Sequence, residues 1–309
     1  MNLKDLKLDF FYLRKALFEY KRFFKYVYNR YFFGKKILKL NQILEKQVNN
    51  QDLSIHILTQ HKDLIMLIWS LASFYQVMDT IGCLYIHNDG TLTKEDKHTI
   101  KRFFPNVKIL ETENFLADFA QELKDYPVIK KFRQDYQYLK KLIDPYFTSC
   151  KKYRLVIDSD LIWFKAPIEI MQEIKNDCQK SFMQENYTIN RLYNIRFKEG
   201  RMEDKLATKN SGIVLYNQKN FNLEKLQVYF NKIDANYKNN FHFIEQAGYA
   251  YCLDNLRSLP ADKYIIKEKV DDTTIVRHYT SPRRPLFFIE GIGFAGSVLQ
   301  TEPKGLAPH

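Results

Sequence analysis

Tyr153-Arg154-Leu155-Val156-Ile157-Asp158-Ser159-Asp160 reads as a short, mostly apolar strand that runs straight into two carboxylates. A strand of this length and composition belongs in the middle of a sheet covered on both faces. In an extended chain the side chains at i and i+2 point the same way, so Asp158 and Asp160 can share one cation. Hard oxygen ligands with open positions suit Mn²⁺ or Mg²⁺ held jointly by protein and a diphosphate, which neutralises a phosphate leaving group.

Working outward, strands and helices alternate. Leu53-Ser54-Ile55-His56-Ile57-Leu58 predicts a first strand, followed by Thr59-Gln60-His61 and a helix through Tyr75. Gly82 to His87 predicts a second strand, and Asn88-Asp89-Gly90 a turn. A helix is expected from Thr93, with Thr-x-x-Asp as a capping box, and a third strand over Asn106 to Leu110. Further strands are expected at Lys180 to Gln184, Gly212 to Tyr216 and Thr274 to Arg277, with a helix from about Asn222 to Ile233. This alternation predicts an α/β, Rossmann-like fold, a mainly parallel central sheet flanked by helices. Right-handed crossovers gather the successive loops at the carboxyl edge of such a sheet, where ligands bind and where the acidic pair falls.

Other residues gather chemistry around that pair. His278, after a predicted strand, offers an imidazole nitrogen to the same metal; the competing reading is a structural histidine. Arg283 and Arg284 follow at once, with guanidinium groups suited to phosphate oxygens, against the alternative of a solvated basic turn. In Asn210-Ser211-Gly212 the glycine allows close approach while Asn and Ser offer hydrogen bonds, although the same triplet makes a simple turn. Glu245-Gln246 is expected to enter the small-residue helix Ala247-Gly248-Tyr249-Ala250. There it sets a carboxylate and an amide beside a ligand at the sheet edge, or only a stabilising charge at a helix N-terminus.

Composition bounds the rest. The 309 residues are 45% hydrophobic and 15% aromatic, enough for one large α/β domain with additions, and the net charge of +12 favours anionic partners. Twelve of the basic residues against four acidic ones lie in residues 1–50, which therefore carry +8 of the excess. There Phe10, Leu13, Leu17, Tyr20, Phe24, Val27 and Tyr31 recur at helical spacing, predicting a basic, aromatic, amphipathic helical extension. Such a helix either packs on the catalytic domain or lies on an anionic membrane. The expected division is an extension over 1–50, the main domain over 51–290 and a flexible tail over 291–309. Cys83, Cys150, Cys178 and Cys252 form no CxxC pair, and the first residues carry no apolar run of signal-peptide or membrane-spanning character. A cytoplasmic protein with reduced thiols is expected, with peripheral residence on the inner face of a membrane as an option through the extension.

In order and spacing these motifs resemble the GT-A nucleotide-sugar transferases, nearest to the glycogenin-like and bacterial galactosyltransferase-like retaining family. Ile55 to Thr59 is similar to the family's first strand, Tyr153 to Asp160 to its strand and Asp-x-Asp motif, and Asn210 to Asn217 to its Asn-x-Gly strand. Glu245-Gln246 stands where the family has Asp-Gln, and His278-Tyr279-Thr280 with Arg283-Arg284-Pro285-Leu286-Phe287 resembles its closing His-Phe-x-Gly-x-x-Lys-Pro-Trp segment. The resemblance implies a nucleoside at Thr59 and His61, a ribose and metal at Asp158, metal at Asp160 and His278, and pyrophosphate at Arg283 or Arg284. It also implies donor contacts from Lys140 and Asn210, and Gln246, with Glu245 beside it, at the reactive face of the sugar.

The expected function is a metal-dependent glycosyltransferase that moves a hexose from a nucleotide-diphosphate sugar, with a UDP-sugar favoured, to an acceptor hydroxyl on a glycan, lipid-linked sugar or protein. A nucleotidyltransferase of similar topology is the first alternative. It normally carries a Gly-rich phosphate loop near the first strand, and Thr59-Gln60-His61-Lys62 has no glycine. A basic module that binds membrane or nucleic acid is the second; it leaves the ordered series from Thr59 to Arg284 unexplained, and no nucleic-acid partner is expected.

Overall fold

The computed structural model describes residues 3–185, 195–199, 208–234 and 241–299. The strands of the main sheet are β1 (Leu53–Thr59), β2 (Cys83–Asn88), β3 (Lys108–Leu110), β4 (Tyr153–Ile157), β6 (Ser181–Glu185), β7 (Lys209–Asn217) and β8 (Leu256–Ser258), in the order β3-β2-β1-β4-β7-β6-β8. Neighbours pair in parallel except at β7, which runs antiparallel to both β4 and β6. A second sheet of three short strands, β5 (Leu161–Trp163), β10 (Val276–His278) and β9 (Tyr264–Ile265), lies in the order β5-β10-β9.

Two apolar cores flank the main sheet, because β4 and, beyond Lys209, β7 are buried and send alternate side chains to opposite faces. Leu155, Ile157, Ile213 and Leu215 join one core, and Val156, Val214 and Tyr216 join the other. The helix Leu64–Val77 is buried from Met66 to Tyr75, so it is an internal helix with no wet face. The helix Lys94–Phe103 begins at Thr93 with the expected capping box, Thr93 Oγ1 accepting from Asp96 N–H and the Asp96 carboxylate from Thr93 N–H.

The structure corrects several details of the sequence reading. The strand expected at Thr274 to Arg277 forms as β10, in the small sheet rather than the main one. Its partners β5 and β9 have three and two residues, too few to show a period. Glu245 and Gln246 stand in the second turn of the helix Phe241–Cys252, not at its entry. The tail expected to be flexible from 291 begins instead with the helix Ile292–Leu299. Its Ile292 and Ala295 are buried in the same core as Trp69. Residues 300–309 lie outside the described part.

The single amphipathic helix expected near the N-terminus is interrupted. A helix over Leu3–Arg14 and a π-helical turn over Lys15–Glu19 end at Lys21, whose φ is 52°, before the chain resumes over Phe23–Tyr28. The break turns the faces relative to one another. Phe10, Leu17, Phe24 and Tyr31 of the predicted stripe are exposed, while Leu13, Tyr20 and Val27 are half-buried. The face that packs is Tyr12, Ala16, Tyr26 and Ile37, all members of the core beneath β1 and β4. Polar bonds fasten it: Asn29 Nδ2 donates to Phe288 O at 2.5 Å and Trp69 Nε1 to Gly34 O at 2.9 Å.

Candidate active site

Asp158-Ser159-Asp160 is the corner where the chain leaves β4 of the main sheet and enters β5 of the small one. Asp158 N–H donates to Gly212 O at 3.0 Å, tying the corner to β7, and Tyr279 N–H donates to Asp160 O at 2.9 Å, tying it to the residue that follows β10. Antiparallel pairing of β10 with β5 sets His278 opposite Leu161, one residue from Asp160. Sheet register alone therefore delivers the imidazole to the acidic pair across more than a hundred residues of sequence.

His278 Nε2 lies 3.3 Å from Asp158 Oδ2 and 3.1 Å from Asp160 Oδ1. Its Nδ1 is 3.0 Å from Asn210 Oδ1 and 3.2 Å from Gln184 Oε1. Two amide oxygens at Nδ1 call for a proton there, which leaves Nε2 to face the carboxylates as a ligand in the neutral ring. Asn210 Oδ1 also accepts from Gly212 N–H at 2.8 Å. Gly212 makes the arrangement possible: a Cβ at this position would lie 2.2 Å from His278 Nδ1.

These three residues can hold a metal ion. One ligand atom from each of Asp158, Asp160 and His278 lies within 4.8 Å of the others, so a single cation can touch all three. Two carboxylate oxygens and an imidazole nitrogen, with the imidazole steadied from behind by Asn210 and Gln184, form a ligand set that a divalent cation can occupy. The structure pairs the same carboxylates with cationic side chains. Lys141 Nζ is 2.7 Å from Asp158 Oδ1, and Arg284 Nε is 3.2 Å from Asp160 Oδ2.

The charges follow from this crowding. Burial works to raise the Asp158 carboxyl, but the Lys141 ammonium and the His278 ring outweigh it and hold the group well below the ordinary carboxylate range. Asp160 is likewise lowered: burial opposes ionisation, and His278 and Arg284 overcome it. Burial alone would lower His278, yet the two carboxylates raise it to about 9. Behind Asp158, Lys141 Nζ donates to Ser211 O at 2.7 Å and lies 3.7 Å from Glu245 Oε1, while Ser211 Oγ donates to Glu245 Oε2 at 2.7 Å. Burial dominates at Glu245 and pushes its carboxyl up to about 7, against the pull of Lys141.

The helices supply this back wall by close packing. Gly248 lets the helix Phe241–Cys252 approach the helix Lys140–Thr148, since a Cβ there would meet Leu142 Cδ2 at 2.6 Å. Tyr249 Oη then donates to Lys141 O at 2.5 Å, and Glu245 comes to face the Lys141 ammonium.

Two solved structures are similar over most of this chain. One is mouse xyloside xylosyltransferase 1 in its apo form, with a TM-score of 0.50 and 10% identity over 75% of this chain and 98% of that one. The other is the galactosyltransferase LgtC in complex with donor and acceptor sugar analogues, with a TM-score of 0.50 and 12% identity over 81% of this chain and 98% of that one. The chain has the GT-A fold. No family model and no curated protein matches the sequence, so the likeness is one of fold.

Within this GT-A fold the remaining sequence-selected residues fall into three groups. Thr59 ends β1 with a buried hydroxyl that has no hydrogen-bond partner, and Asn210 sits behind His278. Lys140 reaches the ends of β2 and β3, where its Nζ donates to Asp89 O at 3.2 Å and Thr112 Oγ1 at 3.0 Å. It is the next residue, Lys141, that meets Asp158. His61 points away, its exposed ring 2.6 Å from Asp96 Oδ2. Gln246 Nε2 lies 2.8 Å from His242 Nε2, and Arg283 Nη1 lies 3.4 Å from Thr280 Oγ1. Sequence reasoning missed Lys141, Gln184 and Asp63. Asp63 follows β1 and holds Arg284 Nη1 at 2.9 Å, so that Arg284 bridges the first loop and the acidic corner. Only long-range contact reveals Lys141 and Gln184; for Asp63, four residues past Thr59, its place just after the first strand was a local signal.

Proposed function

We propose that the protein is a glycosyltransferase that moves a hexose from a nucleotide-diphosphate sugar, a UDP-sugar by preference, to an acceptor hydroxyl of a glycan, lipid-linked sugar or protein. The observation that carries the reading is the convergence of Asp158, Asp160 and His278 on one cation-sized point at the carboxyl edge of a GT-A sheet. A Mn²⁺ or Mg²⁺ ion held there would act as a Lewis acid on the diphosphate oxygens. Arg284, with Arg283 beside it in sequence, supplies positive charge to the same phosphates; Arg284 exchanges part of its contact with Asp160 and Asp63 for them. The partnerless Thr59 hydroxyl and the Lys140 ammonium at the ends of β1 to β3 suit the nucleoside, with His61 at the rim of that loop.

In the transfer the bond from the anomeric carbon to the diphosphate breaks, and the nucleoside diphosphate leaves with the electron pair. The acceptor oxygen bonds to the same carbon and gives up its proton. Charge grows on the leaving diphosphate, so fixed positive charge there lowers the barrier most. Gln246 and Glu245 line the sugar's side of the site in this reading. Lys141 holds Asp158 in position and is itself kept charged, since Asp158 and Glu245 more than reverse the effect of its burial.

The test is a thermal-shift screen of nucleotide-diphosphate sugars with and without Mn²⁺, followed by detection of released nucleoside diphosphate. A ligand bound only by the folded state raises the melting temperature. Stabilisation by one donor that requires Mn²⁺ is expected, together with slow release of its nucleoside diphosphate. Equal indifference to every donor, with and without metal, would contradict the reading.

A further inference from the structure

Among the described residues, large exposed hydrophobic side chains are concentrated in one stretch of the chain, on either side of the break at Lys21. Fourteen are exposed, and nine of them lie between Leu6 and Phe32: Leu6, Phe10, Phe11, Leu17, Phe18, Phe24, Tyr28, Tyr31 and Phe32. Phe10, Phe18 and Phe24 are 68%, 69% and 86% exposed. Lys7, Arg14, Lys21, Arg22, Lys25, Lys35, Lys36 and Lys39 are exposed around them, while Asp9 and Glu19 are engaged by Arg30 and Lys15. Scattered exposed apolar residues are ordinary, but a concentration of rings rimmed by cations marks an interaction surface.

We propose that this face of the N-terminal extension docks onto an anionic lipid bilayer, with the phenylalanine and leucine side chains in the headgroup and acyl boundary and the lysines and arginines against the lipid charges. Three observations select that occupant. The segment through residue 50 carries +8, which complements an anionic surface and opposes a second copy of the same face. Leu6 and Leu17 stand among the rings; leucine stacks on no base, whereas hydrocarbon accepts it as readily as phenylalanine. The helices that carry the face are already folded and fixed by Tyr12, Ala16, Tyr26 and Asn29, so docking needs no further ordering of the backbone.

The packed side of the extension reaches the metal corner. Tyr12 Oη donates to Ser281 Oγ at 3.1 Å, in the loop between His278 and Arg284, and the Tyr12 phenol feels the charges of Arg284, Asp160 and Asp63. The inference does not rest on glycosyl transfer, because vesicle binding requires no nucleotide.

The experiment is sedimentation of the full chain with vesicles of phosphatidylcholine containing phosphatidylglycerol, and with phosphatidylcholine alone, at low and high salt. Wild type should sediment with the anionic vesicles at low salt, at least tenfold more than with neutral ones, and be released as salt screens the attraction. The combined variant Phe10→Ser, Phe18→Ser, Phe24→Ser should keep the wild-type melting temperature and lose most of the binding. Lys21→Gln, Arg22→Gln, Lys25→Gln should lose its salt-sensitive part. Absence of sedimentation by wild type, equal binding by the phenylalanine variant, or concentration-dependent dimers or single-stranded RNA binding in place of vesicle binding would each overturn the proposal. Metal-dependent nucleotide binding, measured on the same preparations, reports separately on the transferase reading.

Discussion

Gly212 is where the candidate site is least tolerant of an added atom. A methyl group there would stand 2.2 Å from His278 Nδ1 and 2.4 Å from Cε1, inside contact distance, and would drive the ring from Asn210 and Gln184. Gly212→Ala should therefore weaken Mn²⁺-dependent nucleotide binding at least tenfold while the strand still forms, measured by calorimetric titration beside His278→Ala. Equal affinity in Gly212→Ala and wild type would mean that His278 has no part in metal binding. Glu245 gives a second test. Its carboxyl is raised from 4.5 to about 7, so the folded state takes up the proton more readily than the unfolded chain. That contribution is complete below the unfolded value and is lost as pH rises through 7. Between pH 5 and pH 8 the metal-free protein should lose about 3 kcal/mol more stability than Glu245→Gln, as read from denaturant midpoints at each pH. Parallel curves would show that Glu245 is not held protonated. At this scale the acidic pair and His278 were legible in the sequence, because strand ends and the i, i+2 rule place them; Asn210, expected at the donor, stands behind His278 instead. Lys141 was not: two adjacent lysines look alike in one dimension, and only the packing of Gly248 on Leu142 turns one of them toward Asp158.

At the scale of elements, the N-terminal extension belongs to the core it covers. Tyr26 is fully buried against Phe288, with ring centroids 6.0 Å apart, so Tyr26→Ala should destabilise the protein by about 3–5 kcal/mol in denaturant unfolding. Phe24, two residues away and almost fully exposed, should change stability by less than about 0.5 kcal/mol when replaced by Ala. Comparable losses for both would contradict the packing described. The seven-residue stripe read from the sequence predicted helical structure correctly but the wrong buried face, because a period cannot register the break at Lys21. β1, β2, β4 and β7 were legible for a different reason: each is five to nine residues long, mostly buried, and carries a cluster of branched or aromatic apolar residues. β5 and β9 are too short to carry a pattern, and the small sheet they form with β10 went unseen although it is what brings His278 to Asp160.

For the whole molecule, the two sheets meet at one corner, and the chemistry proposed here depends on that junction. β4 ends just before Asp158, β5 begins after Asp160, β10 returns His278, and the loop beyond it returns Arg284 to Asp160 and Asp63. Alternation of strands and helices was enough to foresee the parallel sheet and the edge at which a ligand sits. It did not foresee that lysine and arginine would lie on the same carboxylates as the histidine. The most direct measurement is calorimetric titration of UDP into wild type and Asp160→Ala, each with and without Mn²⁺. The account predicts that wild type binds UDP tightly only with Mn²⁺, and that the folded variant shows no metal-dependent binding. Metal-independent affinity in wild type, or undiminished metal-dependent affinity in the variant, would contradict it.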